Sequence, residues 1–141
     1  MEILGLPYPI QKDPRGFLHT QKGVEQVKSD MLVLLLTNPG ERVMLPEFGT
    51  PLRDLMFEPN DGQIEAKARE MIIDSINLWE PRIVVSAIEV SSDVDTDDLN
   101  PQDNQTQKEH VLSIKIMFSD PENIQQIQEL KLNLPLDAGL G

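Results

Sequence analysis

The chain has 141 residues, the size of one domain, and carries 12 basic against 24 acidic residues for a net charge of −12. That balance repels a nucleic-acid backbone and no Lys/Arg cluster offsets it, so direct binding of DNA or RNA is not expected. With no cysteine, disulfides and thiolate metal sites are excluded.

Met1 to Ile10 is apolar but interrupted by Pro7 and Pro9, and it lacks the basic leader of a signal peptide. The longest apolar run, Met31 to Leu36, falls far short of the ~20 residues of a membrane span. The expectation is a soluble protein made in the cytoplasm, with no membrane contact. Residues 1–22 are predicted to form an extended N-terminal arm with turns, the clearest at Asp13-Pro14-Arg15-Gly16.

Val24, Val27, Met31 and Leu34/Leu35 recur at helical spacing and predict a helix over about 24–37, stopped by Pro39-Gly40. Thr50 before Pro51 predicts an N-cap and a short helix through about Met56. A second long helix is predicted over about 61–79, with Asn60 and Gln63 as a capping box. Its inward stripe is Ile64, Ala68, Met71, Ile72, Ser75 and Leu78, and Glu65 with Arg69 forms an i,i+4 pair. Pro81 disfavours helical geometry at Glu80 and ends the helix near Trp79.

Beyond Pro81 the period changes to two. Strands are predicted over Arg82 to Val90, over His110 to Phe118 with Leu112, Ile114, Ile116 and Phe118 on one face, and around Leu130, Leu132 and Leu134. Helices followed by strands predict an α+β fold: two long helices and a short one packed on a small, mostly antiparallel sheet. The domain spans 23–134, with a mobile acidic loop at 91–107 and a short C-terminal tail at 135–141.

Asp93, Asp95, Asp97 and Asp98 invite a calcium reading, but an EF-hand loop begun at Asp93 needs Gly where Asp98 stands and Glu where Asn104 stands. A solvated acidic loop is the expectation, with no metal and no cofactor. His19 and His110 are isolated, and no Ser or Thr sits in a nucleophile-elbow pattern. No catalytic residue is assigned.

Two stretches stand out. Glu80-Pro81-Arg82 follows the lone Trp79, and Pro39-Gly40-Glu41-Arg42 continues into Pro46-Glu47-Phe48-Gly49. Each sets an Arg and a Glu beside residues that fix the backbone, as a docking surface requires. The plainer alternatives are a helix stop with both charges in solvent, and ordinary turn chemistry with Phe48 in the core. The candidate partner-binding residues are Glu80, Pro81, Arg82, Glu41 and Arg42.

Taken in order, these pieces resemble the baseplate wedge family of contractile tails, the sheath-initiator subunits of myophages, which includes the corresponding subunit of type VI secretion systems. The resemblance runs from about Gly16 to Leu134. It rests on Thr37 at a helix end, Gly40-Glu41-Arg42, Pro46 to Gly49, Phe57-Glu58-Pro59, a long helix, and Trp79 to Arg82 before the strands. It implies a non-enzymatic virion protein of the tail baseplate. The Glu80-Pro81-Arg82 corner would contact a helical bundle of wedge-core proteins, and the sheet would accept strands of the tail sheath subunit. The tail tube, around which family members sit, is a further candidate contact. Some members carry a tail-lysozyme label, for which this chain offers no catalytic constellation. The rivals are a type VI secretion baseplate subunit, a cell-wall glycosidase and a cytosolic adaptor.

Overall fold

Helix α1 (Gly23–Leu36) forms where apolar residues recur at i, i+4, i+7 and i+8: Val27, Met31, Leu34 and Leu35 are all buried. In the computed structural model, which describes residues 4–58, 62–94 and 110–135, it opens one residue earlier and closes one earlier than its pattern predicts. Thr37 caps it, with both its N–H and its hydroxyl bonded to the Val33 carbonyl. Residues 51–57 contain no short α-helix: Leu52–Phe57 is a 3-10 helix with Pro51, not Thr50, at its cap. Thr50 is instead fully buried and donates its hydroxyl to the Leu34 carbonyl at 3.2 Å. Tertiary contact with α1 outbids local capping there.

Helix α2 (Ile64–Trp79) begins three residues later than predicted. Gly62, with φ at +76°, cannot continue a right-handed helix. Gln63 makes no side-chain capping bond, and Asn60, the other half of the predicted capping box, lies outside the described residues. The buried stripe is Ile64, Ala68, Ile72, Ser75 and Ile76. Leu78, predicted inward, is exposed on the flank of that arc and Ile76 fills the core in its place. The predicted Glu65–Arg69 pair makes no direct ion pair and survives only as a weak attraction at a distance: Glu65 accepts the Ser92 N–H and hydroxyl, both at 3.0 Å, while Arg69 Nε donates to the Ile88 carbonyl.

Two small sheets complete an α+β fold, and every pairing among the described residues is antiparallel. In the first, β1 (Leu4–Gly5) pairs with β2 (Gln21–Lys22). The Asp13 carboxylate closes the turn between them by accepting the N–H groups of Arg15 and Phe17. In the second, β4 (His110–Asp120) is central, flanked by β3 (Val84–Val94) and β5 (Asn123–Pro135). The inner face carries Ile88, Val90, Leu112, Ile114, Ile116, Phe118 and Leu130, and the core lies between that face and the two helices. Ser91 to Val94, predicted as loop, continue β3 in register with Val111 to Ser113 and His110. The rest of the predicted acidic loop (95–107), and the predicted tail after Pro135, lie outside the described residues.

Candidate functional site

The end of α2 is set by Pro81, which keeps Glu80 out of helical geometry (φ −127°, ψ 67°) while its N–H still closes the last turn on Ile76. That geometry turns the Glu80 side chain inward, where the residue is 5% exposed, the one buried charged residue among those described. Arg82, two residues on, returns to meet it. Its Nε donates to Glu80 Oε1, and its Nη2 donates to Glu80 Oε2 at 2.5 Å and to Asp30 Oδ2 of α1 at 2.7 Å.

A carboxylate taken out of water needs such a bidentate partner. The same contacts hold the Arg82 pKa well above its ordinary value, first through the Glu80 hydrogen bonds, which outweigh the opposing effect of burial, and then through Asp30. Gln26 donates to the other Asp30 oxygen at 2.7 Å, so a polar chain from α1 fastens the start of the sheet to the end of α2. Arg82 Nη1 has no acceptor among the described residues, and the guanidinium side chain is 32% exposed.

The second stretch is a compact turn. Gly40 N–H bonds the Pro46 carbonyl at 2.6 Å, and Thr50 N–H bonds the Thr37 carbonyl at 2.9 Å. Gly49 makes this closure possible: its φ is +129°, and a Cβ there would lie 2.4 Å from the Thr37 carbonyl oxygen. Glu41 belongs to the turn itself. Its carboxylate accepts from the Asn38 N–H and side-chain amide and meets Arg53 at 3.4 Å. Arg42 instead lies over the Phe48 ring, 4.7 Å from its centroid, and has no carboxylate partner among the described residues. Phe48 stands edge-on to Trp79, with centroids 5.3 Å apart.

These contacts bring the two stretches into one cleft of about 280 Å³, floored by Phe48, Trp79 and Val33 and edged by Arg42, Arg82, Glu80 and Asp30. Of the five residues singled out in the sequence, Glu80, Arg82 and Arg42 line it. Pro81 is exposed at the corner that shapes it, and Glu41 lies outside it. Asp30 was missed because it reads as one more polar position on an amphipathic helix, and its partner is 52 residues away. Glu80 and Arg82 face one another rather than solvent. The signal for that was the charge pair flanking a proline directly after a Trp.

Among the described residues no three His, Cys, Asp or Glu side chains converge as metal ligands, and no helix is long and apolar enough to cross a membrane.

Residues 21–119 match the family described as baseplate wedge protein gp25. Baseplate wedge protein gp25 of Enterobacteria phage T4 is 31% identical over 113 residues, covering 79% of this chain and 75% of that protein. Two solved structures share the fold. One, from Geobacter sulfurreducens and labelled a tail lysozyme, superposes with a TM-score of 0.63 at 23% identity, over 82% of this chain and 92% of its own. The other is a chain of the anti-feeding prophage baseplate, with a TM-score of 0.61 at 20% identity, over 99% of this chain and 90% of its own.

Proposed function

The chain belongs to the baseplate wedge protein gp25 family, structural proteins of contractile injection systems, and from that premise we propose that it docks on the wedge-core bundle through the Arg42–Arg82 cleft and nucleates the tail sheath by accepting a strand on its sheet. The protein acts in the virion, in the tail baseplate. The observation that carries this reading is the convergence of two arginines and two aromatic rings in one exposed cleft of a chain whose net charge is −12.

Arg and Trp concentrate binding energy because they combine apolar area with directional donors. Here Phe48 and Trp79 offer the apolar floor, while Arg42 and the Nη1 edge of Arg82 offer donors that no acceptor takes among the described residues. The cleft therefore suits a helix presenting a carboxylate beside an apolar side chain. Glu80 and Asp30 serve the site by holding Arg82 in one pose, so that less side-chain entropy is lost on docking. Pro81 holds the corner, and Glu41 holds the turn that carries Arg42.

The role is non-enzymatic. A glycosidase acid must be a carboxyl group kept protonated in an apolar pocket. The buried Glu80 faces a guanidinium at bidentate distance. Glu65, the other carboxylate fixed by internal bonds to the sheet, is held below the usual carboxylate range, chiefly by the Ser92 N–H and then by its hydroxyl.

The test is capture of wedge-core and sheath subunits by the purified protein, run beside a peptidoglycan-clearing assay. Capture of both partners without clearing is expected. Clearing that disappears with a single carboxylate substitution would overturn the structural reading. Capture of neither partner by folded protein, with a non-tail partner recovered instead, would replace it with an adaptor role.

A further inference from the structure

The three-stranded sheet has two edges, and they are not equivalent. On β3, the Ser92 N–H and the Ile88 carbonyl point away from β4, and both are taken by α2 side chains: Glu65 accepts the first and Arg69 donates to the second. Backbone groups alternate sides along a strand. Through the register Val90–Ile114–Leu132, that alternation leaves the N–H and C=O groups of Glu129, Lys131 and Asn133 pointing outward from β5. None of these has a hydrogen-bond partner among the described residues.

We propose that the incoming strand adds along β5 and not β3, and that Glu65 and Arg69 serve as the guard that closes the β3 edge. This rests on the strand-addition reading above and assigns the edge it uses. The occupant is an extended segment of another chain, with apolar residues at alternate positions. Leu132 and Leu134 continue the inner face but are only half-buried at the sheet border. Inward side chains of an added strand would cover them.

The outer face raises no barrier. Its charges are already matched, across strands by Lys115 to Glu129 at 3.7 Å and to Glu89 at 3.6 Å, and along β5 by Lys131 to Glu129 at 2.9 Å. The regular ladder opposite Val111 to Phe118 runs from Gln128 to Pro135, which bounds the length of the added strand. Pro135 has no N–H to offer and closes the platform.

Amide hydrogen exchange tests the assignment, read at Glu129, Lys131 and Asn133 against Val90, with the protein alone and with the sheath subunit of the same tail. Exchange at the three β5 amides is expected to slow by about tenfold or more on binding, with Val90 unchanged. Lys131→Pro, which removes an outward N–H and spares the bonds to β4, is expected to weaken capture by about tenfold while the protein stays folded.

Slowing at Val90 without slowing on β5 would overturn the edge assignment and leave strand addition standing. Binding with neither edge protected, or no binding by folded wild type, would sink strand addition and the assignment with it. Protection of β5 without sheath subunit, growing with protein concentration, would make the occupant a second copy of this chain. Unchanged capture by Lys131→Pro would also overturn the assignment.

Discussion

The Glu80-Pro81-Arg82 corner and the Gly40-Glu41-Arg42 turn use the same residue types, yet they do opposite things with them. At the corner the glutamate is buried and, with Asp30, engages Nε and Nη2 of the arginine, so the charges join two helices to the sheet and only the Nη1 edge is left for a partner. At the turn the glutamate satisfies local amides at the surface, and the arginine lies over an aromatic ring with no carboxylate partner among the described residues. Burial, not residue identity, decides which charge holds the fold and which is left to meet a partner.

The sharpest way to break that comparison is Arg82→Ala. It strands a buried carboxylate, so it is expected to cost about 3 kcal/mol in urea or thermal melts, the lower end of the range because the guanidinium is a third exposed. Adding Glu80→Gln should recover part of the loss by removing the orphaned charge. A double variant no better than the single one would mean that packing, not charge, is what Arg82 supplies. Gly49→Ala comes next, at about 2 kcal/mol, since its Cβ would meet a backbone carbonyl and its φ is positive. Glu41→Ala should cost no more than about 1 kcal/mol, because its partners are exposed and local. A loss equal to that of Arg82→Ala would erase the distinction between the two regions.

The smallest effect concerns pH. The Glu65 pKa is lowered in the folded state, so its contribution is present above the ordinary glutamate range near ~4.3 and fades as pH falls through the lowered folded value. The Ser92 amide should therefore lose protection on acidification in wild type, and Glu65→Gln should remove that dependence. For Arg82 the sign is reversed. A raised folded pKa keeps its contribution intact at every pH below the ordinary arginine range, so mildly alkaline conditions should not weaken the corner.

Much of this was legible in the chain. Helical spacing located α1 and most of α2, and the alternation of Leu112, Ile114, Ile116 and Phe118 identified the buried face of the central strand. What escaped were features settled by distant partners. Thr50 looks like a helix cap until the Leu34 carbonyl competes for its hydroxyl. Glu65 and Arg69 look like a helix pair until a strand edge offers backbone groups to both. Ser91 to Asp93 have loop composition and become strand because Val111 to Ser113 supply the ladder. At the site, the sequence marked the arginines but not Asp30, whose role exists only once α1 crosses the corner.

The most direct test of the central claim is the affinity of the wedge-core protein for wild type and for Arg42→Glu, with melting curves on both. Arg42 carries no ion pair among the described residues. The variant should therefore melt within about 2 °C of wild type, yet bind the wedge core at least tenfold more weakly, by about 1.4 kcal/mol. Unchanged binding by the folded variant would contradict the assignment of the cleft as the docking site.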